Sequence, residues 1–119
     1  MTSSLMSSLI IEGEPIAKAR PRLGANGNIY TPKTSKDYEN MIAWCAKQLP
    51  RFEGGLLVEA TFYCSPHRRM PDLDNLIKSL LDGLQKGGVF EDDVQVVEIY
   101  ARRRLDKAKP RVELSLVSL

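Results

Sequence analysis

Residues 70–86 limit the fold most strongly, because they combine a proline entrance with the periodicity of an amphipathic helix. Apolar residues recur at i, i+1, i+4, i+5 and i+8, which is one stripe of a helix surface. The stripe consists of Leu76, Ile77, Leu80, Leu81 and Leu84. Asp74, Lys78 and Asp82 recur at every fourth position and therefore lie on a different face. Pro71 precedes the helix, and Gly87-Gly88 supplies a stop after it.

Asp72 and Asp74, at the start of this helix, have two interpretations. Acidic side chains at helix starts accept backbone N–H bonds and complement the positive end of the helix dipole. In this interpretation Asp74 and Lys78 form an ordinary surface ion pair, worth only ~0.3–0.5 kcal/mol. In the other interpretation the two acids belong to a cation-binding site. The motif alone favours capping.

A second acidic group, Glu91-Asp92-Asp93, follows the helix after a short connection. Its presence supports the cation-binding interpretation over capping. It leads into the β-branched run 94–99, which predicts a strand. If the two acidic groups converge, their mutual repulsion calls for a hard divalent cation with oxygen ligands, Mg²⁺ or Mn²⁺. His67 is the single histidine and there are two cysteines, so a zinc site rich in histidine or cysteine is not expected. Such carboxylate sites serve phosphoryl transfer and phosphodiester hydrolysis.

These motifs resemble the RusA family of Holliday-junction resolvases, small endonucleases common in phages and prophages. The resemblance rests on Asp-Leu-Asp-Asn-Leu-x-Lys at 72–78, on Asp82 and Gly88, and on Glu-Asp-Asp-Val-Gln-Val-Val at 91–97. It is dense over about 65–100 and weaker elsewhere. It implies that Asp72, Asp74 and Asp93 bind Mg²⁺, with Mn²⁺ as a substitute, and that Lys78 is catalytic.

The rest of the chain predicts a small α+β fold. We expect a first strand at 9–12, a first helix at about 35–49 that begins with a capping box at Thr34–Asp37, and a half-buried strand at 56–64. A strand at 94–104 and a last strand at 112–117 are expected to form a hairpin. The order β-α-β-α-β-β predicts a mixed or antiparallel sheet of about four strands with two helices packed on it, as in a RusA-like fold.

The length indicates one domain, residues 1–119, in which the Ser-rich residues 1–8 are expected to be a flexible terminus. No apolar run approaches the ~20 residues that cross a bilayer, so we expect no membrane association. Because no targeting segment is recognised before them, Cys45 and Cys64 are expected to be reduced in a cytoplasmic protein.

Basic residues gather in three places, although the formal net charge is only +2. Lys18, Arg20 and Arg22 alternate along a proline-bounded arm, and Arg68 and Arg69 lie just before Asp72. The arm is either a solvated loop or a contact to phosphates, and the resemblance favours DNA contact for Lys18, Arg20 and Arg22. DNA contact is also expected for Arg68 and Arg69, because a phosphodiester bound at the metal must pass close to their loop. For Arg102-Arg103-Arg104 both interpretations stay open.

The expected function is that of a Mg²⁺-dependent endonuclease that resolves four-way DNA junctions. A four-way junction is two-fold symmetric and needs two nicks, so a homodimer is expected. We expect no small-molecule organic cofactor. Two alternatives stay open: a nuclease for flaps, other branched DNA or single strands, and a DNA-binding relative that has lost cleavage.

Overall fold

The computed structural model describes residues 5–20, 22–30 and 32–119 as a four-stranded mixed sheet with two helices and a small hairpin. The sheet order is β1-β6-β4-β5, in which β1–β6 and β6–β4 pair antiparallel and β4–β5 pair parallel. This α+β fold and its element order were expected from the sequence. The elements are β1 (Met6–Glu12), β2 (Arg22–Leu23), β3 (Ile29–Tyr30), α1 (Lys33–Ala46), β4 (Leu56–Cys64), α2 (Leu73–Lys86), a 3₁₀ turn (Asp93–Gln95), β5 (Val96–Leu105) and β6 (Arg111–Ser118).

The β4-α2-β5 unit is a parallel crossover and sets the position of both acidic motifs. Leu56 pairs with Val96 at one end of the two strands, and Cys64 pairs with Leu105 at the other end. Two neighbouring parallel strands need a crossover connection, which is supplied here by α2. Helix α2 therefore begins beside the carboxyl end of β4 and ends beside the amino end of β5.

The predicted stripe of α2 forms the centre of the core. Leu76, Leu80 and Leu84 are almost fully buried, while Ile77 and Leu81 are partly buried against the same cluster. The other half of the core comes from the buried residues of β4, which are Leu56, Val58, Ala60, Phe62 and Cys64. The prediction of this helix and of its buried face is confirmed.

Helix α1 crosses α2 at a glycine. A Cβ placed on Gly83 would lie 2.5 Å from the Cβ of Ile42, so only a residue without a side chain allows this approach. The close contact brings Glu39 of α1 to the same side as Asp82 of α2.

The expected hairpin between the last two strands is wrong. Strand β4 lies between β5 and β6, so these two consecutive strands are not neighbours. Strand β6 buries Val112, Leu114 and Leu116 and suits the sheet interior, whereas β5 is largely exposed and carries three arginines, as edge strands do.

The start of α1 also differs from the expected capping box. Pro32 occupies the N-cap position without a side-chain cap, and Thr34 lies inside the helix. The Pro32 carbonyl accepts bonds from the backbone N–H groups of Ser35 and Lys36, so the helix begins before Thr34. Ser35 is buried, and its hydroxyl accepts a bond from the backbone N–H of Ala19 at 3.4 Å. The helix ends at Ala46, before the expected 49.

Strand β1 begins at Met6, inside the stretch 1–8 expected to be flexible, of which residues 1–4 lie outside the described part. A turn that contains Asn26 and Gly27 joins β2 to β3, and Gly27 has a φ of 84°. No helix in the described ranges is long and apolar enough to span a membrane.

Lys18 connects the N-terminal arm to both helices through a partly buried ion-pair network. Its Nζ lies 2.6 Å from Oε1 of Glu39 and 3.0 Å from Oδ2 of Asp82. Its backbone N–H donates to the carbonyl of Asn75 at 2.9 Å. Burial alone would lower the pKa of Lys18, but the hydrogen bonds to Glu39 and Asp82 outweigh burial and raise it.

We predict that Lys18→Met lowers the free energy of unfolding by about 1–3 kcal/mol, because the Glu39 carboxylate loses a partner while its side chain is only 10% exposed. Urea denaturation at neutral pH measures this change. The matched control is Arg20→Met, which alters an exposed residue on the same arm and should change stability by no more than ~0.5 kcal/mol. Equal effects of the two variants would contradict a structural role for Lys18.

Candidate active site

Asp72 stands at the N-cap position of α2 but does not cap the helix. Its backbone is extended, at φ −67° and ψ 136°, and its side chain makes no hydrogen bond to the helix backbone. The carboxylate instead accepts a weak bond at 3.4 Å from the side-chain amide of Asn75. A capping aspartate satisfies a backbone N–H of the first turn, which this one does not do. The exposed Asp72 carboxylate is therefore available to a ligand.

Asp74 and Lys78 lie one turn apart on the exposed surface of α2. Lys78 Nζ is 4.0 Å from Oδ2 of Asp74, and both side chains are mostly exposed. An exposed pair at this distance holds neither side chain firmly, because solvent screens it. Two carboxylates and one ammonium therefore lie at the start of the helix, and their contacts contribute little to the stability of the fold.

Arg103 adds a cation to this entrance that the sequence did not single out. Its guanidinium donates to the carbonyl of Pro71, directly before Asp72. Along β5 side chains alternate between faces, and Arg103 pairs with Phe62, whose side chain is buried on the helix side. Side chains in the run 102–104 alternate between the two faces of the strand, so Arg103 lies on the opposite face from Arg102 and Arg104. This alternation was the sequence signal that could have identified Arg103.

The loop between β4 and α2 is held at its base and exposes two arginines. Glu14 accepts a bond from the backbone N–H of Ser65 at 3.0 Å, and its carboxylate lies 3.5 Å from Nε2 of His67. Burial alone would raise the pKa of Glu14, but its hydrogen bonds to Ser65 and His67 lower it. Arg68 and Arg69 follow this anchor and are exposed, beside the start of α2.

Asp93 opens the 3₁₀ turn that precedes β5, and Asp92 caps this turn. The Asp92 carboxylate accepts a bond at 3.0 Å from the backbone N–H of Val94. Asp93 itself is exposed. The two adjacent acids thus have different roles, since one side chain is used by the backbone and the other projects from the turn.

Gln95 fixes this turn to the body of the protein. Its side-chain amide donates to the carbonyls of Phe52 and Gly54, at 3.0 Å and 2.9 Å. Its side-chain oxygen accepts from the backbone N–H groups of Glu91 and Asp92. The sequence had indicated only a strand here, so this anchoring residue was missed.

The pKa of Asp93 is raised above its ordinary value. The first cause is a hydrogen bond shared with the Asp92 carboxyl, followed by burial and by the charges of Asp92 and Asp82. Asp82 belongs to the third turn of α2, well past the entrance.

Within one chain the structure does not bring Asp93 to Asp72 and Asp74. Asp93 lies before Val96, at one end of β5, whereas the Asp72 entrance is beside Arg103, and the strand between these points spans roughly 20 Å. No group of three or more His, Cys, Asp or Glu side chains in the described ranges is placed to hold a metal ion. Carboxylates are the donors that Mg²⁺ prefers, so the residues fit this ion in type but not in position.

The residues predicted to contact DNA on the N-terminal arm have different surroundings. Lys18 is engaged by Glu39 and Asp82, and Arg20 is exposed. The backbone of Arg22 belongs to β2, and its side chain lies outside the described part. DNA contact by these three residues stays a prediction.

Comparison with known proteins matches most of this chain, including both acidic motifs, to one family. The family model described as Endodeoxyribonuclease RusA matches residues 12–117. The "Crossover junction endodeoxyribonuclease RusA" of Aquifex aeolicus (strain VF5) is 27% identical over 95 residues, or 76% of this chain and 73% of the relative. The proteins of the same name from Shigella sonnei (strain Ss046) and Escherichia coli (strain K12) are both 28% identical over 103 residues, or 86% of this chain and 80% of each relative.

The two aspartates at cap positions should respond differently to truncation. We predict that Asp72→Ala changes the free energy of unfolding by no more than ~0.5 kcal/mol, because its side chain caps nothing. Asp92→Ala should lower it by about 0.5–1 kcal/mol, because a backbone N–H of the turn loses its acceptor. Thermal unfolding followed by calorimetry measures the stability of Asp72→Ala and of Asp92→Ala against the wild type. Asp92→Asn, which keeps a capping oxygen, is the control, and a loss at Asp72 as large as that at Asp92 would contradict the assignment.

Proposed function

This chain belongs to the RusA family of endodeoxyribonucleases, and we propose that it resolves four-way (Holliday) DNA junctions by paired, symmetric nicks in recombination and repair. The family match covers 12–117. The relatives are named crossover junction endodeoxyribonucleases, and the chain covers more than two thirds of each. The observation that carries the proposal is the uncapped, exposed Asp72 beside Asp74 and Lys78 at one helix entrance.

The two-fold symmetry of the substrate supports a homodimer as the active species. A four-way junction must be cut in two strands, and each chain carries one Asp-x-Asp entrance. Two copies related by a two-fold axis would present two equivalent sites to two equivalent strands. We propose that this dimer acts in the cytoplasm, where it would meet its DNA.

We propose that Asp72, Asp74 and Asp93 hold Mg²⁺, for which Mn²⁺ would be a substitute. Such an ion supplies an activated water and offsets charge on the phosphate. Support comes from the donor type and from the family resemblance. Within one chain Asp93 is remote from the other two acids, so these three carboxylates fit the ion by donor type alone.

Lys78 and the neighbouring arginines are proposed to bind and orient the scissile phosphate. The Lys78 ammonium is mostly exposed and only loosely held by Asp74, so it can move to a phosphate oxygen. There it would offset the negative charge that grows in the transition state. Arg68 and Arg69 flank the same entrance and would contact the adjoining backbone.

We predict that Asp72→Asn and Asp74→Asn each abolish cleavage of a labelled four-way junction in the presence of Mg²⁺. Junction binding, measured by gel shift in Ca²⁺ or EDTA, should persist, because removing negative charge does not weaken attraction to phosphate. Asp37→Asn, on the exposed face of α1, is a matched control that should cleave normally.

The same assay separates the competing functions. Equal cutting of flaps, single strands or linear duplex would favour a nuclease of other specificity. Binding without any cutting by the wild-type protein would favour a non-catalytic relative. Cleavage that survives in both aspartate variants would remove these acids from the site.

Lys78→Ala should reduce the single-turnover cleavage rate on the order of 10²–10³, the range for losing one transition-state donor. Lys86→Ala removes a cation from the last turn of the same helix and serves as control, with an expected change of less than about twofold. A rate for Lys78→Ala equal to that of Lys86→Ala would exclude a catalytic role for Lys78.

A further inference from the structure

The end of strand β5 carries three consecutive arginines whose guanidinium groups have different partners. Arg102 lies 3.4 Å from Oε1 of Glu59, on the face of the sheet opposite the helices. Arg104 donates from Nη1 to the backbone carbonyl of Arg103 at 3.0 Å. Arg103 reaches the start of α2, where its guanidinium donates to the carbonyl of Pro71. Of these three cations, Arg103 is therefore the one placed beside the Asp-x-Asp motif.

The bond to Pro71 uses one end of the Arg103 guanidinium. Nη1 is the donor in this bond. Within the described ranges, Nε and Nη2 of Arg103 bond no protein atom, and no carboxylate forms an ion pair with it. In the planar guanidinium, Nε and Nη2 form an edge that can bind two oxygens of one phosphate side by side. Arg103 is thus oriented by the protein and still has the donors that recognise a phosphate.

A pocket at the start of α2 gives access to Arg103. The pocket has a volume of about 360 Å³, and its other lining residues are Met70, Arg104 and Leu105. Met70 lies two residues before Asp72, so the pocket adjoins the acidic motif. This volume is within the range of small-ligand sites and admits a phosphate group with part of its sugar. A DNA strand at the Asp72 entrance can therefore reach the guanidinium.

Arg103 and Lys78 are held in different ways, which suits them to different steps. The Lys78 ammonium is mostly exposed and lies 4.0 Å from the Asp74 carboxylate. The backbone of Arg103 is paired with Phe62 in the sheet, and its guanidinium is bonded to Pro71. A donor that is already oriented loses little conformational freedom when it binds a ligand. Arg103 therefore suits the binding of DNA before cleavage, whereas Lys78 suits a charge that grows during cleavage.

We propose that Arg103 is a phosphate-binding residue of the active site, which holds a backbone phosphate of the cut DNA strand next to the scissile bond through Nε and Nη2. This inference rests on the proposed function, because it places DNA cleavage at the Asp72 entrance. It assigns a substrate contact to a side chain of β5, outside the acidic motifs and the basic loop.

The contact is tested first without cleavage, by the salt dependence of four-way junction binding in EDTA. Phosphate contacts release counterions, so the logarithm of the binding constant falls with the logarithm of salt concentration by about 0.9 per contact. Arg103→Gln should weaken binding and reduce this slope by about 0.9 for each bound chain. Arg102→Gln is the matched control, because it removes the same charge from a neighbour that Glu59 holds on the other face. Its slope should equal that of the wild type. Equal slopes for the two variants would overturn the proposal.

Arg103→Lys separates phosphate recognition from a purely structural role of the bond to Pro71. It keeps the charge and removes the planar edge, so the salt slope should stay at the wild-type value. Junction affinity should nevertheless fall roughly threefold to tenfold, as expected for the loss of one hydrogen bond. Wild-type affinity in Arg103→Lys would exclude recognition through Nε and Nη2. If circular dichroism shows that Arg103→Gln does not fold, this variant replaces it in the experiment below.

The contacted phosphate is identified with junctions in which neutral methylphosphonates replace single phosphates around the branch point. At the contacted position, the replacement should weaken binding by the wild type and have no further effect on Arg103→Gln, because both changes remove the same contact. Arg102→Gln should lose affinity there as the wild type does. Additive losses at every scanned position would overturn the proposal.

These measurements distinguish failure of the inference from failure of the proposed function. A wild type that binds junctions and cuts none would reject the proposed cleavage, and the salt slope and the methylphosphonate scan would still decide the Arg103 contact. A wild type that cuts junctions, while Arg103→Gln keeps the wild-type salt slope, would reject the contact alone.

Discussion

The parallel crossover from β4 through α2 to β5 determines the position of every candidate catalytic group. It places Asp72 and Asp74 at the carboxyl end of β4 and Asp93 at the amino end of β5. It also makes β5 an edge strand, because β6 occupies the other side of β4. The same connection thus separates the two acidic motifs within one chain by the length of β5.

The features that local periodicity determines were predictable, and those that depend on strand neighbours were not. The stripe Leu76-Leu80-Leu84 identified α2 and its buried face, because a helix repeats within its own segment. The β-branched run of β5 and the alternation in β6 identified two strands but carry no information about which strand lies between them. The hairpin expectation was therefore wrong. The distance between Asp93 and Asp72 also depends on this order of strands in the sheet.

Residues of the same type differ in role because of the hydrogen bonds available to each. Asp72 and Asp92 both occupy cap positions, but only Asp92 satisfies a backbone N–H. Lys18 and Arg20 alternate on one arm, yet Lys18 is held by two carboxylates of the helices. Motif spacing identified the acidic positions and the family, whereas these individual roles depend on three-dimensional contacts that spacing does not contain.

The glycine at the crossing of α1 and α2 has a consequence for the N-terminal arm. Because a Cβ on Gly83 would lie 2.5 Å from the Cβ of Ile42, a side chain at this position would push the two helices apart. Glu39 and Asp82 would then separate, and the Lys18 ammonium would lose one of its two carboxylate partners. The attachment of the arm to both helices therefore depends on the absence of a side chain at one buried position.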